Sequence, residues 1–276
     1  MATKDMDTER EAGIGLAPIT GETDASFTNW PVLWRVLSFV LFAAAWEIAG
    51  RIPISFAFPT FSATIVALAE MMTSGELPRA YLSTLQPLIL GVVLSTILGV
   101  GIGVICGLWR LGEWFAIPVF IVFQAAPVAA LIPLVTFVYG IGLLAKTLAV
   151  MLLALPVIVL NSYKAVRHVN ASLVAMCRSF LGSGRQEIVK IILPDASPVI
   201  FAGLRLGVAA GFVGVVLAEL LIAPTGIGDL ITFHRSRADY AEMYATIASI
   251  IGLSTLTLIG LQAIETRVFR PEKRGG

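Results

Sequence analysis

Charged residues are scarce in this chain, and so are the residue types that most often build catalytic or metal sites. Asp, Glu, Lys and Arg together make up 13% of the 276 residues, there are only two histidines and two cysteines, and 57% of the residues are hydrophobic. The mean hydropathy of +0.89 lies well outside the range of soluble globular proteins. A soluble core of this size cannot hide so much apolar surface, so the composition predicts a membrane protein.

The missing charge clusters argue against several functions. The formal net charge is +1, and no run of Lys and Arg is interleaved with aromatic residues, as nucleic-acid binding would require. His168 and His234 are isolated, and no His, Cys, Ser or carboxylate cluster in the apolar runs has catalytic or metal-ligand spacing. Cys106 and Cys177 are expected to be small apolar fillers instead of a disulfide. We therefore expect no catalytic residue, metal or cofactor in this chain.

Six apolar runs are long enough to cross the hydrocarbon layer, which takes roughly 20 residues each. They lie near residues 31–50, 84–107, 113–138, 143–163, 197–221 and 243–266. Shorter helices outside the membrane are predicted over 61–72 and 227–233. The sequence thus predicts an all-α polytopic membrane domain over 30–268 with about six transmembrane helices. The flanks are a disordered tail at 1–29, which is acidic and unlike a secretory signal, and a short tail at 269–276.

Cations near the ends of the runs predict the orientation of the chain in the membrane. The loop at 164–196 holds five of them, and residues 267–274 hold four more, whereas the segments expected on the opposite side hold fewer. The five in the loop are Lys164, Arg167, Arg178, Arg185 and Lys190. Six spans then place this loop and both termini in the cytoplasm.

Small residues recur at every fourth position in two of the runs, which places them on one helix face. Such stripes allow close approach of neighbouring helices, within or between subunits, and the alternative is that glycine is simply common in membrane helices. The second run contains Gly91, Ser95, Gly99, Gly103 and Gly107, and the fifth contains Gly203, Gly207 and Gly211.

Prolines interrupt the third and fourth runs, at Pro118, Pro127, Pro133 and Pro156. Each removes a backbone donor and can kink a helix, and broken helices at membrane depth often line a cavity. Gln124, beside Pro127, is the main candidate for a translocation path, and Thr136 and Tyr139 are weaker ones. A polar link between helices is the alternative for these side chains. Glu219 is predicted to be either a gate or a structural residue beside an outer loop.

One string nearly matches a nucleotide-binding motif. Residues 140–147 read GIGLLAKT, but Ala145 stands where the phosphate-cradling loop has its second glycine, and the string joins two membrane helices instead of following a strand. We therefore expect no nucleotide site here, and an ATP-driven process would need its ATPase on another chain.

The loop at 164–196 has a more specific pattern. An amphipathic stretch runs to Phe180, the break Gly182-Ser183-Gly184 follows, and a second stretch leads to Leu193-Pro194. Glycine allows a tight reversal, so a helix, a turn and a second helix are predicted at the cytoplasmic surface. The alternative is an ordinary solvated loop whose cations only fix the topology.

These residues carry a family resemblance. The stretch from Ala175 through Arg185 to Leu193-Pro194 resembles the EAA loop of ABC importer permeases. More narrowly, Ala218-Glu219 and Gly226-Ile227-Gly228 are similar to the A-E and G-L-G positions of the nitrate, sulfonate, taurine and bicarbonate permeases, which are binding-protein-dependent inner-membrane components. The resemblance covers roughly residues 30–268. The chain departs from the pattern where Ala175-Met176-Cys177 replace Glu-Ala-Ala and Leu181 replaces the glycine, so the acidic contact is missing and Gly182 comes one place late.

The resemblance implies a type I ABC importer fold in the bacterial inner membrane, with the 164–196 loop as a coupling helix. It implies a second permease subunit in a homodimer, a cytoplasmic ABC ATPase dimer that holds ATP and Mg, and a periplasmic or lipid-anchored substrate-binding protein. The substrate class would be a small anion such as a sulfonate, nitrate, taurine or organic acid. The contacts with the ATPase would then fall on Ala175, Met176, Cys177, Arg178, Ser179, Gly182, Gly184, Arg185 and Pro194.

Two other classes compete with this interpretation. A secondary transporter is expected to place ionisable groups near mid-membrane and often shows inverted repeats, whereas the run interiors hold almost no such groups and no repeat is evident. An intramembrane hydrolase needs a nucleophile beside a base, and Ser183 has no histidine in any run to pair with. Both are disfavoured.

Overall fold

The structure is a computed structural model that describes residues 31–52 and 55–269. Every regular element within these residues is helical, which confirms the predicted all-α class. The first helix, α1 (Pro31–Arg51), belongs up to Trp46 to a unit of its own, in which the rings of Phe42 and Trp46 pack edge to face at 5.8 Å. The second unit begins at Glu47 and holds the remaining elements.

The second unit contains both long membrane-type helices and short ones. In chain order they are α2 (Phe61–Thr73), α3 (Glu76–Leu108), α4 (Arg110–Ala125), α5 (Val128–Tyr139), α6 (Leu143–Arg167), α7 (Ala171–Ser179), α8 (Gly184–Glu187), a π-helical turn (Ile188–Ile192), α9 (Leu193–Leu221), α10 (Ile227–Arg237) and α11 (Tyr240–Phe269). The short helix predicted over 61–72 is α2. Its first turn is capped by the Thr60 hydroxyl, which accepts a hydrogen bond from the backbone N–H of Ala63 at 3.2 Å.

Five helical stretches are long and apolar enough to cross a membrane, and a sixth is obtained when α4 and α5 are taken as one span. The five are Leu33–Arg51, Glu76–Leu108, Leu143–Arg167, Gly184–Leu221 and Tyr240–Val268. The count agrees with the predicted number of about six.

The predicted third span, 113–138, is not one straight helix. The axes of α4 and α5 differ by 101°, and the break lies at Ala126 and Pro127. Proline cannot donate a backbone hydrogen bond and pushes the residue before it out of the helical region, and Ala126 is accordingly extended. Of the four prolines that could kink these runs, Pro127 lies at the break, whereas Pro118, Pro133 and Pro156 remain inside helices.

Helix α6 forms the centre of the second unit, and the glycine stripes explain how closely its neighbours approach it. A Cβ atom built on Gly103 of α3 would lie 2.6 Å from Ser162 Cβ and 2.6 Å from the Val159 carbonyl oxygen of α6. The other glycines of the two stripes also make close approaches: Gly91 to Val150, Gly99 to Ile158, Gly107 to Val166, Gly203 to Asn161, Gly207 to Ile158, and Gly211 to Val92 and Val150. The stripes therefore lie at contacts inside one subunit.

We expect Gly103→Ala to destabilise the protein by about 1–3 kcal/mol, because the added methyl group overpacks the contact between α3 and α6. Gly101→Ala is the matched control, since the same helix offers open space at that position. Its effect should be neutral or slightly stabilising, because alanine favours helix more than glycine. Thermal unfolding of the purified protein in detergent measures the difference, and equal midpoints for the two variants would contradict the assigned contact.

Candidate functional site: a braced reversal and a buried ion pair

The segment between α6 and α9 forms the predicted helix, turn and helix. Its first arm, α7, begins at Asn170, whose side-chain oxygen accepts a hydrogen bond from the backbone N–H of Ser172 at 2.9 Å. The backbone N–H of Asn170 donates in turn to Asp195 Oδ2 at 3.3 Å. A helix cap of this kind satisfies an otherwise unpaired backbone donor. The start of α7 is thereby fixed to the first turn of α9.

The reversal after α7 is a Schellman motif. The backbone N–H of Gly182 donates to the Cys177 carbonyl and that of Leu181 to the Arg178 carbonyl, both at 3.0 Å. Leu181 therefore adopts a left-handed backbone conformation, with φ of 57°, at the position where such turns usually place glycine. Gly182 is required for a different reason, because a Cβ atom there would lie 2.5 Å from Cys177 Sγ. Leu181, which stands where the family pattern has glycine, thus changes the side chain at the turn but preserves the turn itself.

The second arm begins with a capping box and continues into the membrane helix. The Ser183 N–H donates to Gln186 Oε1 at 2.9 Å, and the Gln186 N–H donates to Ser183 Oγ at 3.4 Å. Beyond α8, the N–H of Leu193 bonds to the Ile188 carbonyl, five residues back, which forms the π-helical turn. Pro194 follows directly and has no N–H to donate, so the helical hydrogen-bond ladder lacks one bond at this position. Residues 184–221 are therefore one continuous helical path.

A charged pair joins the two arms. Arg178 Nε donates to Glu187 Oε2 and Arg178 Nη2 to Glu187 Oε1, each at 2.9 Å, which is the bidentate geometry of a guanidinium on a carboxylate. The hydrogen bonds from Arg178 to the Glu187 carboxylate raise the pKa of the guanidinium. Because Arg178 is largely exposed, solvent screens the pair and its contribution to stability is small. Its main effect is to fix the geometry of the reversal.

The other residues of this loop that were predicted to contact an ATPase lie on or beside the two arms. Ser179 Oγ donates to the Ala175 carbonyl within α7, Met176 and Arg185 are exposed, and Gly184 has open space around it. Behind the loop lies a cavity of about 560 Å³, whose lining includes Gly107, Arg167, Val174, Ala175, Arg178 and Glu187. Beside this cavity the loop packs against the neighbouring ends of α3 and α6, where Val174 and Ile188 contact an apolar cluster that includes Leu108 and Val166.

A second cluster lies near the opposite end of α9. Glu219 is fully buried, and its Oε1 accepts a hydrogen bond from Lys146 Nζ at 2.9 Å. The ammonium also donates to the carbonyl and hydroxyl oxygens of Thr225, at 2.8 and 3.0 Å. Lys146 is buried as well. A buried charge is tolerated only when it is paired and its remaining hydrogen bonds are satisfied, as they are for this ammonium.

The rest of the carboxylate is held by backbone and hydroxyl donors. Thr84 Oγ1 lies 2.9 Å from each oxygen of Glu219 and itself accepts a hydrogen bond from the Ile227 N–H. The Gly228 N–H donates to Glu219 Oε2 at 3.0 Å. Gly226 has φ of 103°, and a Cβ atom there would fall on the carboxylate. The A-E and G-x-G positions of the sequence therefore form a single site that joins α3, α6, α9 and α10.

Sequence reasoning found only part of this cluster. Glu219 was predicted to be a gate or a structural residue, and its enclosed, fully paired carboxylate has the contacts of a structural anchor. Lys146 was not connected with it, although a single lysine in an apolar run is the signal that a buried partner exists. Lys146 belongs to the string that nearly matches a nucleotide motif, and its ammonium is used by Glu219 and Thr225.

The candidates for the translocation path do not converge on one place. Gln124 is exposed on the subunit and lines a cavity of about 340 Å³ at the break between α4 and α5, together with Val128, Leu153, Val157, Ala210 and Leu217. Pro127 is exposed at the same break. Tyr139 lines a separate cavity of about 310 Å³ beside Phe120 and Leu148. Thr136 is buried, and its hydroxyl donates to the Ile132 carbonyl of its own helix.

A protein-family model matches more than half of this chain. Residues 99–270 match the model of the family described as "Binding-protein-dependent transport system inner membrane component". The chain belongs to this family. It is a multi-pass permease subunit of an ABC importer, which implies the inner membrane as its location, an ATPase partner and a substrate-binding protein. The matched residues include the loop with Arg178 and, of the cluster around Glu219, all the members described above except Thr84.

Individual relatives agree with the family assignment. The permease is 27% identical over 229 residues to SsuC of Bacillus subtilis, named as an aliphatic sulfonates transport permease protein, with 82% of this chain and 83% of the relative covered. It is 29% identical to the riboflavin transport system permease protein RibX of Chloroflexus aurantiacus, with coverage of 87% and 90%. It is 26% identical to the taurine transport system permease protein TauC of Escherichia coli, with coverage of 67% and 68%.

A solved structure shows the same fold. An inward-facing structure of the MetNI methionine ABC transporter matches 70% of this permease and 94% of the solved chain, with a TM-score of 0.56 and 17% sequence identity. At this identity the likeness concerns the fold alone, and it agrees with the type I importer fold that the family resemblance implied.

We expect Glu219→Gln to destabilise the permease by about 3–5 kcal/mol, because the substitution leaves the Lys146 ammonium buried without its counter-charge. The double variant Lys146→Met/Glu219→Gln should recover part of the loss, as in a double-mutant cycle for residues in contact. Arg51→Met, which removes an exposed pair with Glu47, is the control and should change stability little. Thermal unfolding in detergent gives the three values together with that of the single variant Lys146→Met, which completes the cycle, and strictly additive losses for the double variant would argue against a coupled pair.

Proposed function

We propose that two copies of this permease enclose a translocation path for a small anionic solute, and that a separate ATPase drives transport by pushing on the α7–α8 reversal. The observation that carries this proposal is the construction of the reversal. The Arg178–Glu187 pair and the Schellman turn keep the two arms in a fixed geometry, and the second arm is continuous with α9. A displacement applied at the loop is therefore passed directly to a helix of the membrane domain.

The proposed orientation places the loop and both termini in the cytoplasm. The last turn of α6 carries Lys164 and Arg167, and the last turn of α11 carries Arg267, as the preference for cations on the inner side requires. The cluster around Glu219, together with α10 and α2, then belongs to the outer side. A substrate-binding protein, periplasmic or lipid-anchored, would deliver the solute there.

In this proposal the partner ATPase hydrolyses ATP. ATP and Mg would bind to the ATPase dimer, and this chain would bind no cofactor and catalyse no reaction. The commitment of Lys146 to Glu219 supports this, since the one string similar to a phosphate-binding loop has its lysine engaged inside the subunit.

The proposed substrate class is a small organic or inorganic anion such as a sulfonate, taurine, nitrate or an organic acid. Two of the relatives are named for aliphatic sulfonates and taurine, whereas a third is named for riboflavin. The selection among such solutes would be made mainly by the binding protein.

Transport by the reconstituted permease, ATPase and binding protein, measured with radiolabelled taurine and sulfonates, tests the substrate class. Uptake that is independent of ATP would refute the importer mechanism.

We expect Arg178→Glu to weaken binding of the ATPase by roughly tenfold, because a second carboxylate beside Glu187 forces the two arms apart. The exchanged pair Arg178→Glu/Glu187→Arg should restore much of the affinity, since it can re-form the bridge. Arg267→Glu, an equal change of charge in the last turn of α11, is the control. Binding of the purified ATPase to the permease in nanodiscs provides the measurement, and equal affinities for all variants would show that the reversal is not the docking site.

We expect Gln124→Leu to lower the transport rate several-fold without changing ATPase binding, because the amide lines the cavity at the break between α4 and α5. Thr136→Val should have little effect on transport, since the Thr136 hydroxyl bonds within its own helix. Uptake into proteoliposomes compares the two variants. Similar rates for Gln124→Leu and the unaltered permease would remove Gln124 from the path.

A further inference from the structure

Two large apolar side chains form the tip of the reversal. Phe180 is 81% exposed and Leu181 is 93% exposed, although both lie outside the helices that are long and apolar enough to cross a membrane. Met176, one helical turn before Phe180 on the same face of α7, is also exposed. Together the three side chains, Met176, Phe180 and Leu181, make an apolar tip at the end of the loop. Val189, on the second arm, is the other large apolar side chain of this loop that is exposed.

The backbone conformation of Leu181 indicates that its exposed side chain has a function. Its φ of 57° lies in the left-handed region, where a Cβ atom is disfavoured and glycine is not. A glycine would therefore form the same turn at lower cost to the isolated chain. A leucine that strains the backbone and is almost wholly exposed gains nothing from its own subunit, and residues of this kind are concentrated at functional contacts.

The charges around the tip indicate what kind of surface it meets. Between Ala171 and Ile192 the sequence contains one acidic residue, Glu187, and both of its carboxylate oxygens are engaged by Arg178. Arg185 is exposed beside the turn. The loop thus offers a partner apolar side chains and cations, and no unpaired carboxylate.

We propose that Phe180 and Leu181 form an apolar anchor that is buried in a cleft of the ATPase subunit, and that this cleft is lined by apolar side chains with an acidic rim facing Arg185. The anchor takes the place of the missing acidic contact at Ala175-Met176-Cys177. This inference rests on the proposed docking of an ATPase at the reversal and names the chemistry of that contact. The rigid construction of the turn favours a protein cleft over a lipid surface, because a preformed shape reduces the ordering cost of fitting a matching site.

The test uses substitutions that affect stability and binding in opposite directions. Leu181→Gly removes the apolar side chain and relieves the left-handed backbone, so the unfolding midpoint of the permease should stay equal or rise. Binding of the ATPase should nevertheless fall by at least tenfold, the order expected for losing a buried leucine. Leu181→Asn is a second variant, since asparagine tolerates the left-handed region and is polar. Phe56→Ala, at a residue that is 95% exposed between α1 and α2, is the control for losing an exposed apolar side chain.

The affinity is measured with the full-length permease in nanodiscs and the ATPase subunit encoded beside it in the genome, purified separately. Unchanged ATPase affinity in both Leu181 variants would overturn the anchor, while the proposed function would stand if Arg178→Glu still weakened binding. No binding by the unaltered permease would instead defeat the proposed function itself. Unchanged ATPase affinity together with weaker binding of the detergent-solubilised permease to anionic phospholipid vesicles would assign the tip to the membrane surface, and this result too would overturn the anchor.

Discussion

The close approach of α3 and α9 to α6 is the contact on which the rest of the permease depends. Hydrocarbon supplies no hydrophobic drive for helix association, so the helices must gain their contact energy from backbones that lie near each other. Gly103 and Gly207 allow this on the two sides of α6, where Ser162 and Ile158 occupy the space that a side chain would need. With α6 enclosed on both sides, both ends of α9 are held in fixed positions, and it is at these ends that the two polar sites are built.

The two sites share a helix but differ in design. At one end of α9, Glu219 is enclosed, and its charge is balanced by Lys146 and by hydrogen bonds from Thr84 and Gly228. At the other end, the Arg178–Glu187 pair is partly solvated and joins the two arms of the loop that leads into α9. A buried pair resists any change that removes one partner, whereas a solvated pair can be rearranged at small cost. The permease thus combines an enclosed ion pair at the C-terminal end of α9 with a solvated pair on the loop that precedes its N-terminal end.

Much of this arrangement could be predicted from the sequence because it depends on local patterns. The long apolar runs predicted the number of membrane helices, and the spacing of Gly182, Ser183 and Pro194 predicted the reversal. The residues that pair across the fold could not be predicted in the same way. Lys146 and Glu219 are separated by 73 positions, and no periodicity connects them. The break at Pro127 was only one of four proline positions, and which of them bends the chain depends on how the neighbouring helices pack.

The bend between α4 and α5 has a consequence for assembly. A helix that ends leaves carbonyl groups without helical partners, and the next helix begins with unpaired N–H groups. In the isolated subunit this junction is exposed around Gln124 and Pro127, and hydrocarbon does not tolerate uncovered peptide groups. A lone copy dissolved in the bilayer would present these groups to the acyl chains. The membrane itself therefore penalises the unassembled chain and favours any state in which a neighbouring protein or a water-filled passage covers the bend.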